Sequence, residues 1–382
     1  MLEIPLNSIK RIEEIVNSSE DYISLSQGVL KIGGIPQLVK DYLADLLKTD
    51  VTDYYGSHFG LLPLREDIAA VLSKRFDTSI STNQVLITNG CIEGLSLLHL
   101  TLLTPGDEVI LPEPTYPVYE SLSLAARCTP VFVSMLKKTR ENSVVWEMEI
   151  EKIKAATTIR TKMILFSNPW NPMGIVIPKK TLLELIKWCE EKEIYLVVDE
   201  VFRDYVFEGT FNSILPFISS SEWVICANSF SKSLGMSGWR IGYLVVPNRL
   251  MKSLAGMQSA LLNCVNTPCQ HAALFSLNYP EFTRQFCQTV KKRRDEALVL
   301  LEPLIDQGII DLTIPSSGLF IFLRTQSPSS TDLCEKILMK AKVGLIPGRA
   351  FGPTGEPFIR LCYARNESLL KEGIQRLVAF FT

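Results

Sequence analysis

From about residue 85 the chain alternates short apolar runs with amphipathic stretches. The runs are VLIT (85–88), EVIL (108–111), VFV (131–133), MILF (163–166), IYLVVD (194–199), WVICA (223–227) and IGYLVV (241–246). They are rich in β-forming residues and read as strands, while stretches such as TLLELIKWCEEKE (181–193) carry a helical period. Apolar strands separated by helices predict an α/β fold with a largely parallel sheet covered on both faces. Ligands of such sheets bind at the carboxyl ends of strands, so the chemistry is expected there. From about residue 275 the pattern changes. A charged helical run (282–304), GLFIFLR (318–324), another helical pattern, PFIRLCYA (357–364) and a closing helix read as a smaller α+β domain.

A length of 382 residues suits a large domain with a smaller companion. The formal charge is −2, without a basic stripe or tail, which argues against nucleic acid and anionic membrane as partners and favours a small molecule. Nine cysteines, odd in number and without CxxC spacing, read as reduced thiols of a cytoplasmic protein. The three histidines stand at no ligand spacing, so no metal site is expected. No apolar run reaches membrane-spanning length.

The stretch SFSKSLGMSGWR (229–240) isolates Lys232 among hydroxyls, with Arg240 eight residues on. Ser229, Ser231 and Arg240 suit a phosphate, Gly235 and Gly238 allow close backbone approach, and Lys232 suits a covalent bond to an aldehyde cofactor. A Gly/Ser surface loop with a solvated lysine is the lesser alternative from these residues alone. Asp199 ends the run YLVVD, where a carboxylate needs a partner: a protonated ring nitrogen, or the N-terminus of a following helix. In SNPWNPMG (167–174) the two Asn-Pro pairs predict a rigid extended turn after a strand, presenting the Asn171 amide to a phenolate oxygen or serving only as a βα loop. In VLITNGCIEG (85–94) a helix starting at about Cys91 aims the N–H groups of Cys91 and Ile92 at an anion. Tyr116 follows another strand, as a ring to stack on a planar group or as a core aromatic. Arg360, in an otherwise apolar strand, wants a carboxylate from substrate or protein.

Taken together, in this order, these motifs resemble the fold type I, pyridoxal 5'-phosphate (PLP) dependent aminotransferases of classes I and II, over roughly residues 20–380. The resemblance implies an aspartate aminotransferase-like α/β fold: a large PLP-binding domain over 41–274 with a mainly parallel seven-stranded sheet, and a small domain from 1–40 and 275–382. It makes Lys232 the Schiff-base lysine, Asp199 the partner of the pyridinium and Asn171 the ligand of the ring oxygen. Cys91, Ile92, Ser229, Ser231 and Arg240 would hold the phosphate, Tyr116 the ring, Arg360 the substrate α-carboxylate, and Gly28 (in ISLSQG) would lie beside it. Tyr55 would reach the phosphate of a neighbouring subunit, which implies a homodimer with shared active sites.

Three positions depart from the family pattern. Phe202 stands where a tyrosine usually donates to the ring oxygen, Ile92 where a hydroxyl residue is usual, and QGVLKIGGIPQ (27–37) replaces the usual Gly-x-Pro-Asp-Phe loop. Phe202 also resembles capreomycidine synthase-like enzymes, so two reactions stay open: transamination, and elimination with cyclisation of a hydroxylated arginine-type substrate. Glu93 and Glu113 read as solvated or capping residues.

Overall fold

The computed structural model describes residues 4, 8–138 and 144–382; residues 1–3 and 5–7 of the segment assigned to the small domain lie outside them. Each of the seven apolar runs forms a strand of one sheet: β1 (Val85–Thr88), β2 (Glu108–Glu113), β3 (Thr129–Ser134), β4 (Thr161–Ser167), β5 (Tyr195–Asp199), β6 (Val224–Ser229) and β7 (Gly242–Val245). Their spatial order is β1-β7-β6-β5-β4-β2-β3. All run parallel except β7, which is antiparallel to both β1 and β6.

Alternation along each strand explains why this sheet is buried on both sides. In β4, Ile164 and Phe166 join one apolar cluster while Met163 and Leu165 join another on the opposite face; in β5, Leu196 and Val198 oppose Val197 in the same way. Neither face can be turned to water, so helices cover both. Among them, Lys179–Lys192 buries Leu182, Leu185, Ile186 and Cys189 at helical spacing.

The later part of the chain builds a second sheet from Ile310–Leu312, Phe320–Thr325, Phe358–Cys362 and Ile346–Pro347, in that spatial order. Three helices accompany it, Pro280–Asp306, Ser330–Ala341 and Glu367–Phe381. The chain start belongs with this unit: Ile23–Ser24 pairs in parallel with Val343–Gly344. Added Cβ atoms show how closely the first helix, Ser8–Val16, seats there, since one on Gly344 would meet Val16 Cγ2 at 2.7 Å and Ile12 Cγ2 at 3.2 Å. Among the described residues no helix is long and apolar enough to cross a membrane, and the nine cysteines are free thiols.

Candidate active site

The parallel strands end, and antiparallel β7 begins, at one edge of the large sheet, and the motif residues are gathered there by topology. After β1, Gly90 (φ 78°) turns the chain into the helix Cys91–Leu102. β2 leads to Tyr116 at the start of the helix Pro117–Ala125, β4 to Asn171, and β5 ends on Asp199 itself. β6 ends at Ser229 and passes into the one-turn helix Phe230–Ser233 that carries Lys232, while Arg240 stands just before β7. Register ties these ends together, since Asp199 pairs with Ser167 and Ala227, and Gly242 with Ser229 and Thr88. A cavity of about 660 Å³ opens over this edge, walled by Gly28, Cys91, Ile92, Tyr116, Asn171, Asp199, Ser229, Ser231, Lys232, Arg240 and Arg360.

Asp199 is buried, and its two oxygens have different partners. Oδ1 accepts from the Val201 backbone N–H at 3.1 Å and Oδ2 from the Tyr119 hydroxyl at 2.9 Å. Burial pushes its carboxyl up to about 6 despite these donors. No helix follows Asp199, so capping does not account for it. Lys232 donates from Nζ to the Gly28 carbonyl, and its own carbonyl accepts from Tyr205 at 2.7 Å. Burial, reinforced by the positive charges of Arg240 and Arg360, brings the Lys232 amine down to about 8 although Asp199 opposes the shift. Burial thus moves an amine and a carboxyl of one cavity toward neutrality from opposite sides.

Arg360, fully buried, meets no carboxylate among the described residues. It donates to the Ser26 carbonyl at 2.7 Å and to Asn171 Oδ1 at 3.2 Å, and its guanidinium lies over the rings of Phe320 (4.0 Å) and Phe351 (4.8 Å). Its Nε is buried without a partner. The demand for a carboxylate read from the sequence is therefore unmet by the protein. Because Asn171 spends its Oδ1 on Arg360, its amide N–H₂ is the end left for a ligand. Both Asn-Pro bonds of this turn are cis. Phe202 presents a ring edge to Phe320 at 5.6 Å and supplies no hydroxyl. Gly28 lies against the same Phe320, whose Cζ would stand 2.5 Å from a Cβ at this position.

The anion cup is built from the other end of the cavity. The first-turn N–H groups of the helix Cys91–Leu102, the hydroxyls of Ser229 and Ser231, and the Arg240 guanidinium, packed directly over Gly90, face one space. Arg240 holds φ 56° and anchors Nη1 on the Ser237 carbonyl at 2.8 Å. Ile92 is 41% exposed and offers only its backbone to the cup. Burial holds the Cys91 thiol protonated, with Asp199 adding to the effect. Gly238 lines the cavity as expected, whereas Gly235 does not; its φ of 69° at a turn is what requires glycine.

Glu93 and Glu113 have structural partners. Glu93 Oε2 accepts from the Asn89 N–H at 3.0 Å, its other oxygen is buried without a partner, and burial raises it to about 7. Glu113 accepts from the Thr354 N–H at 3.2 Å. Tyr55 is 86% exposed and lies outside the cavity of its own chain. Sequence reading missed Tyr119, Phe320 and Gln27, which all line the cavity. Tyr119 had a signal: it follows Tyr116 by three residues in a helical stretch, on the same face.

With this geometry in hand, the chain can be set beside known proteins. The model of the family "Aminotransferase class I and II" matches residues 20–377. An aspartate aminotransferase of Thermotoga maritima is 30% identical, covering 99% of this chain and 97% of the relative. One from Sulfolobus acidocaldarius is 31% identical over 85% of this chain and 82% of its own length. The crystal structure of aspartate aminotransferase from Thermotoga maritima superposes with a TM-score of 0.88 at 29% identity, covering 99% of this chain and 97% of that one. These likenesses favour amino-group transfer over elimination with cyclisation, and they lend no support to a similarity with capreomycidine synthase.

Proposed function

This chain belongs to the class I and II aminotransferases, and we propose that it moves amino groups between L-amino acids and keto acids with pyridoxal 5'-phosphate as cofactor. The convergence of Lys232, Asp199, Asn171, Arg240 and Arg360 on one cavity carries the reading. The donor set fits the cofactor. A cup of backbone N–H groups, hydroxyls and a guanidinium suits a phosphate, the buried Asp199 suits a ring N–H, and the Asn171 amide suits a phenolate oxygen. Bound there, the cofactor supplies an aldehyde to receive the amino group and a cationic ring that draws electrons from Cα.

The residues do the rest. Lys232 would be the residue that holds the aldehyde. Its Nζ, held near neutral pKa, is placed to take the Cα proton of a bound amino acid. Asp199 would pair with the ring N–H, and Tyr116, on the same cavity wall, would lie against the ring. Arg360 takes the α-carboxylate and orients the Cα–H bond toward Lys232.

We further read the protein as a cytoplasmic homodimer in which Tyr55 completes the partner's phosphate cup. Its free cysteines support the compartment. The exposure of Tyr54, Tyr55, Leu47 and Val51 supports the interface. The test is to load the protein with PLP and follow L-amino acids, hydroxylated arginine included, with and without 2-oxoglutarate. Amino exchange that needs the keto acid supports the reading, and a dehydrated or cyclic product without it supports the alternative.

A further inference from the structure

The strip Ser24–Val29 passes between the first helix and the cavity, and three cations hold its carbonyls. Arg365, fully buried, donates to Ser24 O at 2.6 Å, Gln27 O at 2.6 Å and Val29 O at 2.8 Å. Arg360 donates to Ser26 O at 2.7 Å, and Lys232 to Gly28 O. The same strip is gripped from its other side by one carboxylate. Glu13, in the first helix and 6% exposed, accepts through Oε1 from Ser24 Oγ at 2.5 Å, from Ser26 Oγ, and from the Gln27 N–H at 3.3 Å.

Glu13 is out of place by pattern. It falls on the buried stripe of its helix with Ile9, Ile12 and Val16, where a carboxylate is costly unless its oxygens are satisfied. Three donors converge on its Oε1, and no basic side chain forms an ion pair with it among the described residues. One turn earlier, Ile9 and Lys10 enter the cavity wall. The helix therefore touches both the strip and the space above the cofactor site.

We propose that Glu13 is a positioning residue: it holds the Ser24–Gly28 strip so that Ser26 O sets Arg360, and Gly28 its surface, for the α-carboxylate of the amino acid. The proposal rests on the aminotransferase reading. Its effect falls chiefly on substrate engagement, because Arg360 is held at Ser26 inside the segment that Glu13 grips, whereas Asp199 and the anion cup lie on other elements and Lys232 meets the strip only at its Gly28 end. Truncation loosens the strip and with it the guanidinium. Glutamine keeps an acceptor oxygen at the same place and retains most of the geometry without the charge.

The test uses the PLP-loaded, full-length protein as wild type, Glu13→Ala and Glu13→Gln. Kinetics are measured with the best substrate among L-aspartate, L-alanine and L-tyrosine at saturating 2-oxoglutarate, and hydrogen exchange is followed in peptides spanning 24–29. Glu13→Ala is expected to raise KM for the amino acid about tenfold, as for the loss of a hydrogen-bonded charged anchor, with kcat changed less than about threefold. Exchange in 24–29 accelerates, and Glu13→Gln recovers most of both. Unchanged KM and exchange in Glu13→Ala overturn the proposal. So does a loss of cofactor binding or melting temperature in both variants without a selective rise in KM, which makes Glu13 merely structural. If wild type turns over none of the amino acids, the aminotransferase reading fails instead, and the exchange comparison still decides whether Glu13 holds the strip.

Discussion

Tyr119 donates its hydroxyl to Asp199 Oδ2 at 2.9 Å, across 80 residues of sequence, while the Val201 N–H occupies Oδ1. Both oxygens of Asp199 are thereby held in place on the cavity wall. Removing the hydroxyl with Tyr119→Phe costs stability of about 1 kcal/mol and raises the proton affinity of Asp199, which loses a donor to its charged form. Urea unfolding of the apoprotein measures the first effect. The second is read from the pH at which the bound cofactor's spectrum changes, which shifts if Asp199 pairs with the ring nitrogen and stays fixed if it does not.

A separate consequence follows from the raised carboxyl of Asp199. Burial holds it at about 6 against an ordinary 3.8, so between these values the folded apoprotein keeps a proton that the unfolded chain has released. Its contribution to stability is full below the lower value and is lost as pH rises through the upper one, by about 3 kcal/mol in all. Asp199→Asn does not titrate. The unfolding free energy of wild type minus that of the variant therefore falls as pH rises from about 4 to about 7. A difference that is flat or rises contradicts the assignment.

Gly28 leaves no room for a side chain. A Cβ there would stand 2.5 Å from Phe320 Cζ, and Phe320 lies beneath the Arg360 guanidinium. Gly28→Ala is expected to displace that ring and raise KM for the amino acid about tenfold, the equivalent of overpacking by about 1–3 kcal/mol. Cofactor binding, followed by absorbance, is expected to stay intact.

Tyr55 is exposed and lies outside the cavity of its own chain, so the proposed shared site requires it to act on a neighbouring one. Co-expression of Tyr55→Ala with Lys232→Ala then restores activity from two inactive parents. A mixed dimer carries one site with its own Lys232 and a donated Tyr55, giving about a quarter of wild-type activity when chains pair at random. No recovery rules out the shared site.

Much of this site was legible in the sequence because it is local. The seven runs are strands because their residues are apolar on both faces, and parallel sheets bring strand ends to one edge. Residues within a few positions of those ends, Cys91, Tyr116, Asn171, Asp199 and Lys232, could be placed from that rule alone. What stayed hidden acts over long separations. Arg365 reaches Ser24 over 341 residues, and Arg360 reaches Ser26 over 334. Glu13 did leave a trace, as a lone acid on an apolar helical stripe, but its partners are hydroxyls of the next segment that no periodicity identifies. Phe202 was visible as a departure, yet its packing against Phe320 required the second sheet.

The covalent role proposed for Lys232 can be tested directly. Protein loaded with PLP, reduced with borohydride and digested is expected to carry a single reduced pyridoxyl group, on the peptide containing Lys232, with Lys232→Ala unlabelled. A label on another lysine, or an unlabelled wild type, would contradict it.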